Sequence, residues 1–254
     1  MKAYSLFSGS KGNCIFICSD LACVLIDCGV SERRIRYSIE ELGRKMGDID
    51  AIFITHEHID HVSGLKMIEK KHSIPVHLTT ESARCMVCEA KDLENMYIHD
   101  SKFTVCIKDL EISSFLLSHD SECAVGYIVK DNSTGQTLGI ATDTGCVTNG
   151  MKDKMCGCDA VILESNHDVV MLKTGSYPAD LKRRISGKHG HLSNDDAAEF
   201  AAFLVENGTK RILLFHLSEE NNTPELAIKT VKSAINNDDV IVMAAYKDET
   251  VEIL

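Results

Sequence analysis

Short apolar runs, each a few residues long and broken by polar or glycine-containing stretches, set the rhythm of this chain. Runs at 3–7, 14–18, 22–26, 51–54, 76–78, 110–117, 124–129, 138–141, 160–163, 211–215, 240–244 and 250–253 read as strands. Between them, apolar residues at helical spacing predict helices over 31–42, 62–71, 81–88, 179–185, 194–206 and 224–235. Asn194 ahead of Asp195 and Asp196 reads as an N-cap with an acidic first turn, Asn207-Gly208 as the stop, and Thr223-Pro224 as the start of the last helix. Strands alternating with helices place the chain in the α/β class. No linker-like stretch or solenoid period divides it, so residues 1–254 are expected to form one domain.

Composition narrows this further. No run approaches the length of apolar sequence that a membrane helix needs, and the first residues lack the apolar core of a signal peptide, so a cytoplasmic location is expected. The 11 cysteines are an odd number in a chain far larger than a disulfide-stapled mini-domain, and several fall inside apolar runs; they read as reduced core thiols. Cys85 and Cys88 have half of a zinc-ribbon spacing without a matching second pair, because the Cys156-Gly157-Cys158 gap is wrong; buried or part-buried helix cysteines are the reading preferred.

The chemistry concentrates just past the run at 51–54. In Thr55-His56-Glu57-His58-Ile59-Asp60-His61, three imidazoles and Asp60 occupy six positions, more donors than one ion takes from a single segment, which points to two divalent ions. If the strand continues, His56 and His58 point the same way. A turn into a helix near His61 would then aim Asp60 and His61 at a second point nearby.

His-x-His-x-Asp-His after an apolar strand resembles the signature of the metallo-β-lactamase fold superfamily. That resemblance implies a four-layer αββα sandwich of two mixed sheets packed face to face. It also implies three further ligands, and His119, Asp143 and His216 each follow an apolar run as candidates. Leu6-Phe7-Ser8-Gly9-Ser10-Lys11-Gly12-Asn13-Cys14, Leu163-Glu164-Ser165-Asn166-His167-Asp168, Gly190-His191-Leu192-Ser193-Asn194 and His216-Leu217-Ser218-Glu219-Glu220-Asn221 are similar to the WalJ/YycJ group within it. Members of that group are regarded as 5′-to-3′ DNA exonucleases. The resemblance thus implies that His56, His58 and His119 hold one ion, that Asp60, His61 and His216 hold the other, and that Asp143 bridges them. It further implies that Asp60 also orients the attacking hydroxide, and that Glu164 and His191 form an acid–imidazole pair beside the metals.

Two dications about 3.5–4 Å apart can clamp the attacking and leaving oxygens of a phosphodiester. His191, with Glu164 on its other ring nitrogen, would then protonate the leaving sugar oxygen; taken alone, His191 reads rather as a loop histidine capping the next helix, and its place in Gly190-His191-Leu192-Ser193-Asn194 beside the resemblance reverses that. Ser10 and Asn13 in the glycine-rich segment, Asn166 and His167, and Arg184 and Lys188 are candidate substrate contacts. Residues 8–13 are also an ordinary hairpin turn, and the basic run from Lys182 to Lys188 an ordinary solvated face. His72, His77, His99 and His189 read as surface histidines.

A net charge of −11 argues against wide nucleic-acid contact and favours a few salt-sensitive phosphate contacts. The expected partner is therefore nucleic acid, DNA ahead of RNA, with zinc, manganese or iron all compatible with the ligand types. The competing enzyme reading is hydrolysis of a small ester, thioester or cyclic phosphodiester on the same ions; a metal-dependent scaffold protein is a third.

Overall fold

In the computed structural model, which describes residues 1–86 and 95–254, the strands gather into two seven-stranded sheets. The first has the order β14-β1-β2-β3-β4-β5-β6 and the second β13-β12-β11-β10-β9-β8-β7. Here β1 is Lys2–Phe7, β2 Cys14–Cys18, β3 Cys23–Ile26, β4 Ala51–Phe53, β5 Val76–Thr79, β6 Met96–His99 and β7 Thr104–Ile107. Strand β8 is Leu110–Leu116, β9 Val125–Asp131, β10 Thr137–Ala141, β11 Ala160–Glu164, β12 Arg211–Phe215, β13 Ile241–Ala244 and β14 Val251–Glu252. Both sheets are mixed. In the first, β14, β1, β2 and β3 pair antiparallel and β3 to β6 parallel. In the second, β10 to β13 pair parallel and β7 to β10 antiparallel.

The period-two alternation of side chains builds the layers. In β2, Cys14, Phe16 and Cys18 pack outward toward the helices while Ile15 and Ile17 pack inward, against residues of the other sheet. In β11, Ala160 and Ile162 join the same inner core, and Val161 and Leu163 pack outward on the second helical layer. Helices therefore cover both outer faces, giving the αββα sandwich. Burying each large aliphatic side chain stabilises the fold by about 1.5–3 kcal/mol.

The helices are α1 Glu32–Glu41, α2 Ile59–Val62, α3 Leu65–His72, α4 Thr80–Cys85, α5 Asn149–Met155, α6 Val169–Thr174, α7 Ala179–Ile185, α8 Asn194–Glu206 and α9 Pro224–Ala234. Several expectations are corrected. The turn into helix comes earlier than expected, at Ile59, so that Asp60 and His61 both ride on α2. The cap of α8 is Ser193, whose hydroxyl accepts from the Asp196 amide, because Asn194 is engaged with Ser165 and Asn222. Helices α5 and α6 and strands β6 and β7, too short to carry a clear period, escape the sequence reading. His77 is buried, stacked 4.7 Å from Phe53, rather than on the surface. Of the Cys85/Cys88 pair, Cys88 lies outside the described residues. The ten described cysteines are free; Cys14, Cys18, Cys23, Cys28 and Cys158 are buried, and Cys85, Cys106 and Cys156 are exposed.

Candidate metal centre

The strand ends of both sheets meet along one edge. Asp27 follows β3, the 55–61 segment follows β4, His119 comes shortly after β8, Asp143 after β10, Glu164 ends β11, and His216 follows β12. Asp27, Asp143 and His216 all have left-handed backbones, with φ of 60°, 55° and 56°. Without glycine this conformation costs roughly 1–2 kcal/mol per residue, so surrounding contacts must hold each one in place. Gly29 is required for a different reason: a Cβ there would lie 1.6 Å from the Asp60 carbonyl oxygen, so only glycine lets the strand β3 exit pack against α2.

The seven expected ligands converge. Donor atoms of His56, His58 and His119 lie within 4.8 Å of one another, as do those of His56, His61 and Asp143. A third group joins Asp143, Glu164, His191 and His216. Asp60 is in none of these groups, but its Oδ2 lies 3.5 Å from His61 Nε2 and 3.7 Å from His216 Nε2. Asp143, fully enclosed, stands in the middle, 3.2 Å from His61 Nε2 and 3.1 Å from His216 Nδ1.

Whether this cluster fits cations is decided by the far side of each ring. His61 Nδ1 faces Asp27 Oδ2 at 2.8 Å, His119 Nδ1 faces the Gly190 carbonyl at 3.1 Å, and His216 Nδ1 faces Glu164 Oε1 at 2.9 Å. With each Nδ1 proton engaged by these oxygens, Nε2 is left as a bare donor for a cation. His216 Nε2 is buried without a hydrogen-bond partner, the position a cation would satisfy. Histidine and carboxylate donors without thiolate suit divalent ions, so the residues fit the group.

Asp27 is the residue that the sequence reading missed. It accepts from the Thr55 amide and hydroxyl, both at 2.8 Å, as well as from His61. The signal was available: an acid closing an apolar strand at 22–26, followed by Gly29. Burial pushes the Asp27 carboxyl up, against the pull of His61. Burial and then His61 push the His56 imidazole well down. His61 rises well above the ordinary value, since Asp27 and Asp143 outweigh its burial.

Glu164 binds two rings at once. Its Oε1 faces His191 Nδ1 at 2.8 Å as well as His216, while Oε2 accepts from the amides of Thr144 and Leu192. Burial would raise this carboxyl, but His191 and the other donors bring it to about 2. In turn, burial lowers the His191 imidazole, and Glu164 more than reverses that, holding it above its ordinary value.

The expected substrate contacts divide. Asn13 stands in the site, its Nδ2 3.0 Å from His61 Nε2 and 3.2 Å from Asp60 Oδ2. Ser10, Asn166 and Arg184 line a cavity of about 270 Å³ that reaches His191. The Asn166 amide already donates to the His216 carbonyl, which ties down that turn, and Arg184 pairs with Asp120. His167 lies on the other side of His191, in a second cavity. Lys188 lines neither; its carbonyl accepts from Ser118.

Known proteins agree with this architecture. A family profile described as a beta-lactamase superfamily domain matches residues 23–217. The chain is 35% identical over 236 residues to exodeoxyribonuclease YycJ of Bacillus anthracis, covering 91% of this chain and 87% of that protein. It is 36% identical over 247 residues to exodeoxyribonuclease WalJ of Streptococcus pneumoniae, covering 95% and 91%. Among solved structures, the metallo-beta-lactamase fold protein YhfI from Bacillus subtilis superimposes with a TM-score of 0.74 at 15% identity, over 99% of this chain and 100% of that one. A buried histidine–carboxylate cluster at the strand ends of two mixed sheets, with relatives of this likeness along nearly the whole chain, places the protein in the metallo-β-lactamase superfamily of hydrolases, in the group that holds YycJ and WalJ.

Proposed function

We propose that the protein is a metal-dependent phosphodiester hydrolase acting as a 5′-to-3′ DNA exonuclease. The observation that carries this reading is the Glu164–His191 pair set against the donor cluster, since a departing sugar alkoxide needs a proton that a carboxylate-braced imidazole supplies. The relatives named exodeoxyribonucleases support DNA as the substrate. In this reading His56, His58 and His119 hold one divalent ion, Asp60, His61 and His216 the other, and Asp143 bridges. The ions, when bound, would polarise the phosphodiester and lower the pKa of an attacking water. Asp60 orients the nucleophile, and Asn13 steadies Asp60. Glu164 fixes the ring of His191 so that Nε2 faces the leaving oxygen. Zinc, manganese and iron all suit these donors.

The acidic balance of the chain fits local contact with a strand rather than a wrapped duplex. Arg184 of α7 lines the cavity that reaches His191 and is the natural phosphate contact, exchanging Asp120 for the strand. The test is digestion of 3′-labelled duplexes by metal-loaded protein. Stepwise nucleotide release from 5′ ends, stopped by chelation and by His191→Ala, is expected. Hydrolysis of bis(p-nitrophenyl) phosphate or a thioester with no release from DNA would overturn the reading in favour of a small-ester hydrolase.

A further inference from the structure

His191 is a wall shared by two cavities, and α7 separates them. Tyr177, Leu181 and Arg184 turn toward the cavity of about 270 Å³ that opens beside Ser10 and Asp120, next to the donor cluster. Lys182, Arg183 and Ser186 turn the other way, into a cavity of about 360 Å³ behind His191. Nothing in the reaction described above uses this second cavity.

Its lining has a definite chemistry. Lys173, Lys182 and Arg183 meet there with Asp196 as the one carboxylate among the lining residues. In a chain of net charge −11 this is a local reversal of sign. Lys182 is held by the carbonyls of Lys173 and Gly175, at 3.0 and 2.7 Å, which fix its ammonium without neutralising it. Asp196 already accepts from the Ser193 hydroxyl at 2.6 Å, and Arg183 pairs with Asp180 on the surface. His167 is 2% exposed and lines the same cavity, and its Nδ1 has no hydrogen-bond partner. A buried polar atom without a partner is uncommon, and this one sits within the cavity wall. Val169 and Leu172 add an apolar side.

Cations, an unpartnered imidazole and an apolar wall suit a nucleoside carrying a phosphate monoester, whose second charge distinguishes it from the internal phosphodiesters of a strand. We propose that this cavity receives the 5′-terminal phosphate-bearing nucleotide of the strand, and that its position across His191 from the donor cluster makes cleavage begin at an end. This inference rests on the exonuclease reading. The terminal phosphate sits among Lys173, Lys182 and Arg183, and the base and sugar lie against Val169 and Leu172. The released product is then a nucleoside monophosphate or a short 5′-phosphorylated fragment, whose formation regenerates a 5′-phosphate on the remaining strand when the leaving oxygen is the 3′-oxygen.

Two measurements test it on metal-loaded protein, with Lys173→Ala/Arg183→Ala as the variant because both side chains are exposed. In the first, kcat/KM is compared for 5′-phosphorylated and 5′-hydroxyl strands of one sequence. The wild type is expected to prefer the phosphorylated strand by about tenfold, the contribution of one charge-assisted hydrogen bond, with the ratio falling toward one in the variant. In the second, calorimetric titration with thymidine 5′-monophosphate is expected to show about tenfold weaker binding to the variant. An end preference that is the same in both proteins, or a mononucleotide affinity that the variant leaves unchanged, overturns the proposal. Failure of the wild type to digest either strand sinks the exonuclease reading instead, and the titration then decides the cavity alone.

Discussion

The two sheets contribute to the donor cluster in opposite ways. The first supplies His56, His58, Asp60 and His61 from one short segment after β4, so their mutual placement is local. The second supplies His119, Asp143, Glu164 and His216 from four separate connections, so their placement depends on strand register: Glu164 lies opposite Phe215 in the β11/β12 ladder, one residue from His216. Yet the local segment is not self-sufficient. Asp27, from the end of β3, holds both Thr55 and His61. A loop can concentrate donors, but fixed strands aim them.

The sharpest way to break this comparison is at the sheet-borne bridge. Asp143→Asn is expected to reduce hydrolysis by about 10³-fold or more, the loss of several kcal/mol of charge stabilisation, and to lower bound metal measured by mass spectrometry. Retention of full metal content would show that the 55–61 segment binds ions unaided. Next comes His191→Ala, which should slow DNA cleavage by about 10²–10³-fold. The same variant should slow bis(p-nitrophenyl) phosphate much less, since nitrophenolate leaves without a proton; equal losses on both substrates would refute a donor role. Asp27→Asn tests the brace on the local side, and metal affinity from chelator competition is expected to fall about 10–100-fold.

The smallest effect concerns a histidine away from the donor cluster. Burial, and then His99, hold the His77 imidazole down at about 4 against an ordinary 6.5. The unfolded chain therefore takes up a proton first as pH falls, so stability is present above pH 6.5 and is lost progressively between 6.5 and 4. After solvent screening this amounts to about 1–2 kcal/mol, or roughly 2–8 °C in Tm. His77→Phe, which keeps the stack on Phe53, should flatten the acid side of a Tm-versus-pH curve relative to the parent; superimposable curves would rule this out.

This contrast also explains what could be read from the chain. The 55–61 cluster was legible because its donors are adjacent in sequence, and the αββα layering because alternation in runs such as 14–18 writes two faces into the residues. His119, Asp143 and His216 stand out only as polar residues closing apolar runs, through a resemblance. Asp27 has the same form, but one carboxylate after a strand is too common a pattern to single it out. The burial of His77 depends on Phe53 and His99, which no local pattern announces. The cavity behind His191 needed tertiary structure altogether: Lys173 and Arg183 are ten residues apart on separate helices, and only the turn between α6 and α7 brings them together.

The shared oxygen of Glu164 has one more consequence. If His216 held a cation through Nε2, its Nδ1 proton would become more acidic and lean harder on Oε1, drawing electron density from the bond that the same oxygen makes to His191. Occupancy of the ion site would thus lower the proton affinity of the neighbouring imidazole, which Glu164 otherwise holds above its ordinary value. Loading and reactivity would then be wired through a single atom, Glu164 Oε1.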